Sequence, residues 1–155
     1  MFKKYDFIDT SRVAIWGWSG GGTMTLNLMF QYPELYATGM SVAPVPDMSL
    51  YDTIYQERYM GLPLENAADY KAGSPITHAA RLKGNLLLVH GTGDDNVHYQ
   101  GTEKLMNVLV AENKPFTVMP YPNRSHSISE GKGTTRHLFM LMTRYLLEKM
   151  PPGAK

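Results

Sequence analysis

The chain has 155 residues, 43% apolar and 19% charged, which is enough apolar material for one hydrophobic core and too little charge for a disordered segment. Its formal net charge of +1, with both signs intermixed, excludes the basic footprint of a nucleic-acid or anionic-membrane binder. The absence of cysteine excludes a disulfide scaffold, a thiolate zinc site and a cysteine nucleophile, while no apolar run approaches ~18 residues and the opening MFKKYDFIDTSR has no apolar core of a signal peptide.

In chain order, the first predicted element is a strand at 12–18, RVAIWGW, whose apolar run is too short for a helix. It runs directly into GWSGGG at 17–22, and a helix is expected over 21–31, ended by YPE. A second strand is expected at 37–43, then a helix at 49–59 ended by GLP. The Pro-, Gly-, Asn- and Ala-rich stretch 61–83 reads as an irregular excursion with one short helix. A third strand at 85–90 carries LLLV, apolar at consecutive positions, as befits a strand covered on both faces. A helix at 99–113 follows, with Leu105, Met106, Leu109 and Val110 on one face. The last two elements are a strand at 115–121 and a helix at 132–150 ended by PPG. This βαβαβαβα order predicts an α/β fold, a mostly parallel sheet with helices on both faces.

Ligands in such sheets bind beyond the carboxyl ends of the strands, and three of those loops carry reactive side chains. Gly17, Trp18, Ser19, Gly20 and Gly21 fit the G-x-S-x-G nucleophile elbow. A serine on a sharp strand-to-helix turn needs neighbours without Cβ atoms, and the amide of Gly20 would then point at an oxyanion. The alternative is a tight Gly-rich turn without chemistry; a phosphate loop is disfavoured because no GK[ST] follows. The loop after the third strand, HGTGDDNVHYQ, carries Asp94 and Asp95, and the loop after the fourth, YPNRSHSISEG, carries His126. The order Ser…Asp…His is that of an α/β-hydrolase, in which the imidazole activates the serine and the carboxylate fixes the imidazole's tautomer. Of the other histidines, His90 is expected to cap the sheet edge, His78 and His137 to lie at the surface, and His98 to remain an alternative beside the acid loop. No pair has H-x-x-x-H or H-E-x-x-H spacing, so neither a metal nor a cofactor is expected.

The stretches DTSRVAIWGWSGGG, VAPV, YDTIYQERYMGLP and LLLVHGTGDDNVHYQ, with the late SH before a helix, resemble the catalytic domain of the prolyl oligopeptidase family. Within it they are most similar to the dipeptidyl peptidase IV branch, and the resemblance covers nearly the whole chain. It implies that 1–155 is the carboxyl-terminal part of an α/β-hydrolase peptidase domain, without the first half of the sheet, the β-propeller, the tyrosine hydroxyl of the oxyanion hole and the acidic residues that hold a substrate's free amine. It implies Ser19 as nucleophile, Asp94 as triad acid and His126 as base, with Asp95 only a neighbour.

Tyr51, Tyr55 and Tyr59 recur at i, i+4 and i+8, which by spacing alone describes a packed aromatic stripe. The resemblance instead makes Tyr51, Tyr55, Val45 and Val97 walls of a small pocket for a proline or alanine side chain, and Asn96 a donor to the substrate's backbone carbonyl. Gly20 stands where relatives of this branch carry an aromatic. The expected partner is therefore a peptide with Pro or Ala at its second position, cleaved through an acyl-enzyme in an extracytoplasmic setting; a homodimer is left open. An esterase or acylaminoacyl peptidase of the same fold is the alternative, and a catalytically inactive piece serving in assembly is a third reading.

Overall fold

Four strands, β1 Ala14–Trp18, β2 Thr38–Val42, β3 Asn85–Gly91 and β4 Thr117–Tyr121, lie side by side in chain order and pair parallel throughout in a computed structural model that describes residues 4–153. The ends of the unit expected over 1–155 lie outside the described residues. Among the described residues five α-helices accompany the strands: α1 Gly20–Gln31, α2 Thr53–Met60, α3 Ala67–Gly73, α4 Tyr99–Ala111 and α5 Thr134–Lys149.

The consecutive apolar residues of β3 divide between the two faces as strand geometry requires. Leu86 and Leu88 join Leu26, Met29 and Phe30 of α1 and Leu105 and Leu109 of α4 in one core cluster. Leu87 and Val89 join Met40 and Val42 of β2 and Leu138, Met142 and Tyr145 of α5 in the other. The strand order never reverses, so right-handed crossovers place α1 and α4 on the same face. The helix α5, which follows the last strand, covers the opposite one together with Ile128. Both faces are thus covered, and the carboxyl ends of β1, β3 and β4 open at one edge of the sheet.

Three local expectations change. The helix expected over 49–59 is broken in two, because Asp47 caps a single 3-10 turn at Met48–Leu50 and Asp52 caps α2 by accepting the Tyr55 amide at 2.7 Å. The excursion 61–83 holds not one short helix but α3 followed by a 3-10 helix at Pro75–Arg81. Val110 is not part of the buried stripe of α4; it is 68% exposed, while Leu105 and Leu109 carry that face. Among the described strands β1 is an edge, and Trp16 on it is 54% exposed.

Candidate active site

Ser19 occupies the single residue between β1 and α1 and has φ 56° and ψ −121°, a backbone conformation that a side-chain-bearing residue adopts only when its surroundings impose it. Those surroundings are backbone. The Ser19 amide donates to the Val42 carbonyl at 2.8 Å, and the Val45 amide donates to Thr23 Oγ1 at 2.8 Å, so the end of β2 clamps the turn. A Cβ on Gly17 would run into the Gly21 carbonyl, and one on Gly22 would sit 2.6 Å from the Val42 carbonyl. Gly20 and Gly21 face open space. The glycines that crowding demands are therefore 17 and 22, whereas the motif reading had placed the second at Gly21. The Gly20 amide opens α1, where no intrahelical acceptor exists, and presents a free donor beside Ser19 at the helix's positive end.

The second loop leaves β3 at Gly91 and turns so that Asp94 is 5% exposed. Asp94 Oδ1 accepts the amides of Asn96 at 3.0 Å and Val97 at 2.8 Å, an Asx-type turn that holds the carboxylate against its own loop. Its Oδ2 accepts from His126 Nδ1 at 2.7 Å and from His90 Nε2 at 3.0 Å. The third loop is pressed onto the second. Gly91 leaves no room for a Cβ against the Arg124 carbonyl, and the Gly93 amide donates to that carbonyl at 3.1 Å. Ile128 is fully buried at φ 46° and anchors the loop from below. Trp18 Nε1 reaches across from the elbow to the His126 carbonyl at 3.0 Å, which ties all three loops together. The His126–Asp94 contact uses Nδ1 and so leaves Nε2 unused by the acid; among the described residues Ser19 Oγ makes no hydrogen bond.

A cavity of about 450 Å³ adjoins Ser19 and Gly20, with Val45, Met48, Tyr51 and Tyr55 among its walls. The rings of Tyr51 and Tyr55 meet edge to face at 5.6 Å, and those of Tyr55 and Tyr59 at 5.2 Å. The stripe thus exists, but Tyr51 stands before α2 in extended backbone rather than on its face. Burial, and then the charge of Asp52, push the Tyr51 phenol up. Its hydroxyl donates to Asn96 Oδ1 at 3.2 Å, which leaves the Asn96 amide nitrogen as a donor. Val97 is not a wall of this cavity; it is 4% exposed, and its amide and carbonyl are engaged with Asp94 and His90.

His90 departs furthest from expectation. It does not cap the sheet edge but lies fully buried behind Asp94, with Nδ1 2.7 Å from Thr102 Oγ1. No sequence signal separates it from an ordinary strand-end residue, except its four-residue spacing from Asp94. His78 is half-buried against the Ala72 carbonyl at 2.9 Å, His137 Nδ1 lies 2.8 Å from the Tyr121 hydroxyl, and His98 stands at the N-terminal cap position of α4 with an exposed side chain.

Residues 1–152 match the model of the prolyl oligopeptidase family. The chain is 38% identical over 148 residues to the prolyl endopeptidase FAP of Mus musculus and 37% identical to the dipeptidyl peptidase 4 of Felis catus; each match covers 94% of this chain and 19% of the relative. The crystal structure of Porphyromonas gingivalis dipeptidyl peptidase 4 superposes with a TM-score of 0.89 at 42% identity, over 92% of this chain and 20% of that one. The chain therefore spans about a fifth of the length of the relatives it matches.

Proposed function

The chain belongs to the prolyl oligopeptidase family of serine peptidases, and from that premise we propose that it carries the catalytic residues of a dipeptidyl peptidase that removes X-Pro or X-Ala from peptide amino termini. In this reading Ser19 Oγ attacks the carbonyl after the second residue, and His126 Nε2 takes the proton. Asp94 holds the Nδ1 hydrogen and stabilises the imidazolium. The Gly20 amide donates to the oxyanion, His126 returns the proton to the leaving amine, and a water then releases the dipeptide from the acyl-enzyme.

The cavity supports the substrate class. Proline has flat apolar faces and no N–H, so Tyr51, Tyr55 and Val45 can enclose it without leaving a donor unpaired. Val97 serves the site through the loop backbone that carries Asp94, and Asn96 Nδ2 is the donor left for the substrate's backbone carbonyl. An extracytoplasmic setting and a homodimer belong to the same reading, the latter through the exposed edge of β1 and testable by sedimentation.

The observation that carries the proposal is the 2.7 Å bond from His126 Nδ1 to the buried Asp94, with Ser19 on its constrained turn at the same sheet edge. A fluorophosphonate should label the wild-type chain and not Ser19→Ala. A Gly-Pro anilide should be turned over in preference to a short acyl ester; the reverse preference would favour an esterase. A folded chain that is not labelled would favour the non-catalytic reading, whose support here is that Ser19 Oγ has no bond to His126.

A further inference from the structure

His90 is a buried histidine that no step of the reaction uses, yet every polar atom of its ring is engaged. Nε2 lies 3.0 Å from Asp94 Oδ2 and 2.8 Å from the Val97 carbonyl. Both are acceptors, so Nε2 carries the hydrogen. Nδ1 is then an acceptor, and the Thr102 hydroxyl, in the first turn of α4, donates to it at 2.7 Å. Burial pushes the His90 pKa down, against the pull of the Val97 carbonyl and of Asp94, and the nearby His126 lowers it further. The groups that face this set are Asp94, His126 and the Tyr99 ring, edge-on to His90 at 5.5 Å.

We infer that His90 is a positioning residue for Asp94: an imidazole protonated at Nε2 by its two acceptors there and held at Nδ1 by Thr102, which keeps Oδ2 of the carboxylate where His126 must find it. Without His90 the carboxylate keeps two loop amides on Oδ1 and only the partly exposed His126 on Oδ2, so a turn of the whole group about its last side-chain torsion meets less resistance. The same Nε2 hydrogen also reaches the Val97 carbonyl, so one group fixes both the acid and the return of the loop that bears it. Position is thereby transmitted from α4 through Thr102, His90 and Asp94 to His126. The inference rests on the peptidase reading only in that it says how the acid of that site is held.

The test compares the wild-type 155-residue chain with His90→Leu, His90→Gln and Thr102→Val, each checked for folding by near-UV circular dichroism. Nitrogen-15 spectra of the imidazoles should show His90 in the Nε2–H tautomer at about pH 7.5, above the ordinary histidine range. The downfield proton shared by His126 and Asp94 should be present in wild type, lost in His90→Leu, and restored in His90→Gln, whose amide can replace the Nε2 donor. Fluorophosphonate labelling of Ser19 should slow about 10- to 100-fold in His90→Leu, with most of the loss recovered in His90→Gln. Thr102→Val should keep the Nε2–H tautomer, because both acceptors at Nε2 remain, but free the ring at Nδ1 and weaken the shared proton.

An unchanged shared proton in folded His90→Leu, or an Nδ1–H tautomer in wild type, would overturn the inference. Should His90→Leu fail to fold, an unchanged shared proton in Thr102→Val would do the same. A wild-type chain that shows the shared proton and its dependence on His90, but is not labelled, would leave the positioning role standing and remove the peptidase reading.

Discussion

The corner around Asp94 and the tyrosine wall beside Ser19 are neighbours built on opposite rules. At the corner each carboxylate oxygen accepts two donors, all within 3.0 Å, and Asp94, His90 and Val97 are each no more than 5% exposed. Along the wall Tyr55 and Tyr59 are 55% and 69% exposed, meet ring edge to face, and line the cavity together with Met24, Met48 and Met60. Buried charge tolerates no missing partner, so the corner can exist only fully bonded. Apolar contact is non-directional and Met is adaptable, so the wall can repack around different side chains. In the proposed function chemistry falls to the fully bonded corner and selection of substrate to the adaptable wall.

Asp94→Asn should produce the largest effect. It preserves shape but forces the wrong hydrogen onto the His126–Asp94 contact, and labelling of Ser19 should fall about 10,000-fold with little change in binding. Tyr55→Ala should act differently, raising KM for a Gly-Pro anilide roughly tenfold through the loss of two ring contacts while kcat changes little. Steady-state kinetics would check both, and an equal fall in kcat for the two variants would erase the contrast between corner and wall.

A smaller effect follows from the lowered pKa of His90. As pH falls below about 6.5 the unfolded chain takes up a proton at this residue before the folded chain does, so this part of the stability is complete above that pH and declines below it. For one proton the slope is at most about 1.4 kcal/mol per pH unit. Thermal melts at about pH 7.5 and 5 should therefore show a larger loss for wild type than for His90→Gln. The smallest effect is expected at Gly20→Ala, within about 0.5 kcal/mol by denaturant unfolding, because a Cβ there meets nothing within 4 Å.

How much of this was legible in the sequence depended on the range of the interaction involved. The strands at 14–18, 38–42, 85–91 and 117–121 lie within or next to the spans read from apolar runs, because periodicity is a local property of the chain. The elbow serine, the acid loop and the late histidine were legible too, since an α/β sheet delivers its strand-end loops to one edge whatever their separation. The break before α2 was harder to see, for it turns on whether Asp47 and Asp52 cap or continue a helix, and both outcomes suit the same letters.

By itself the sequence determined the parallel α/β order, the family, and a serine, a carboxylate and an imidazole at one edge. The tertiary structure alone decided that Gly22 rather than Gly21 is the second crowded glycine, that Val97 is buried and not among the cavity walls, and that Tyr51 bonds Asn96 from outside the helix. It also decided that His90 stands behind Asp94 rather than at a sheet edge. Each of these depends on which atoms approach across the fold, and hydrogen bonds and steric contacts act only over a few ångströms. Their partners exist only once β2, the loops and α4 are already in place.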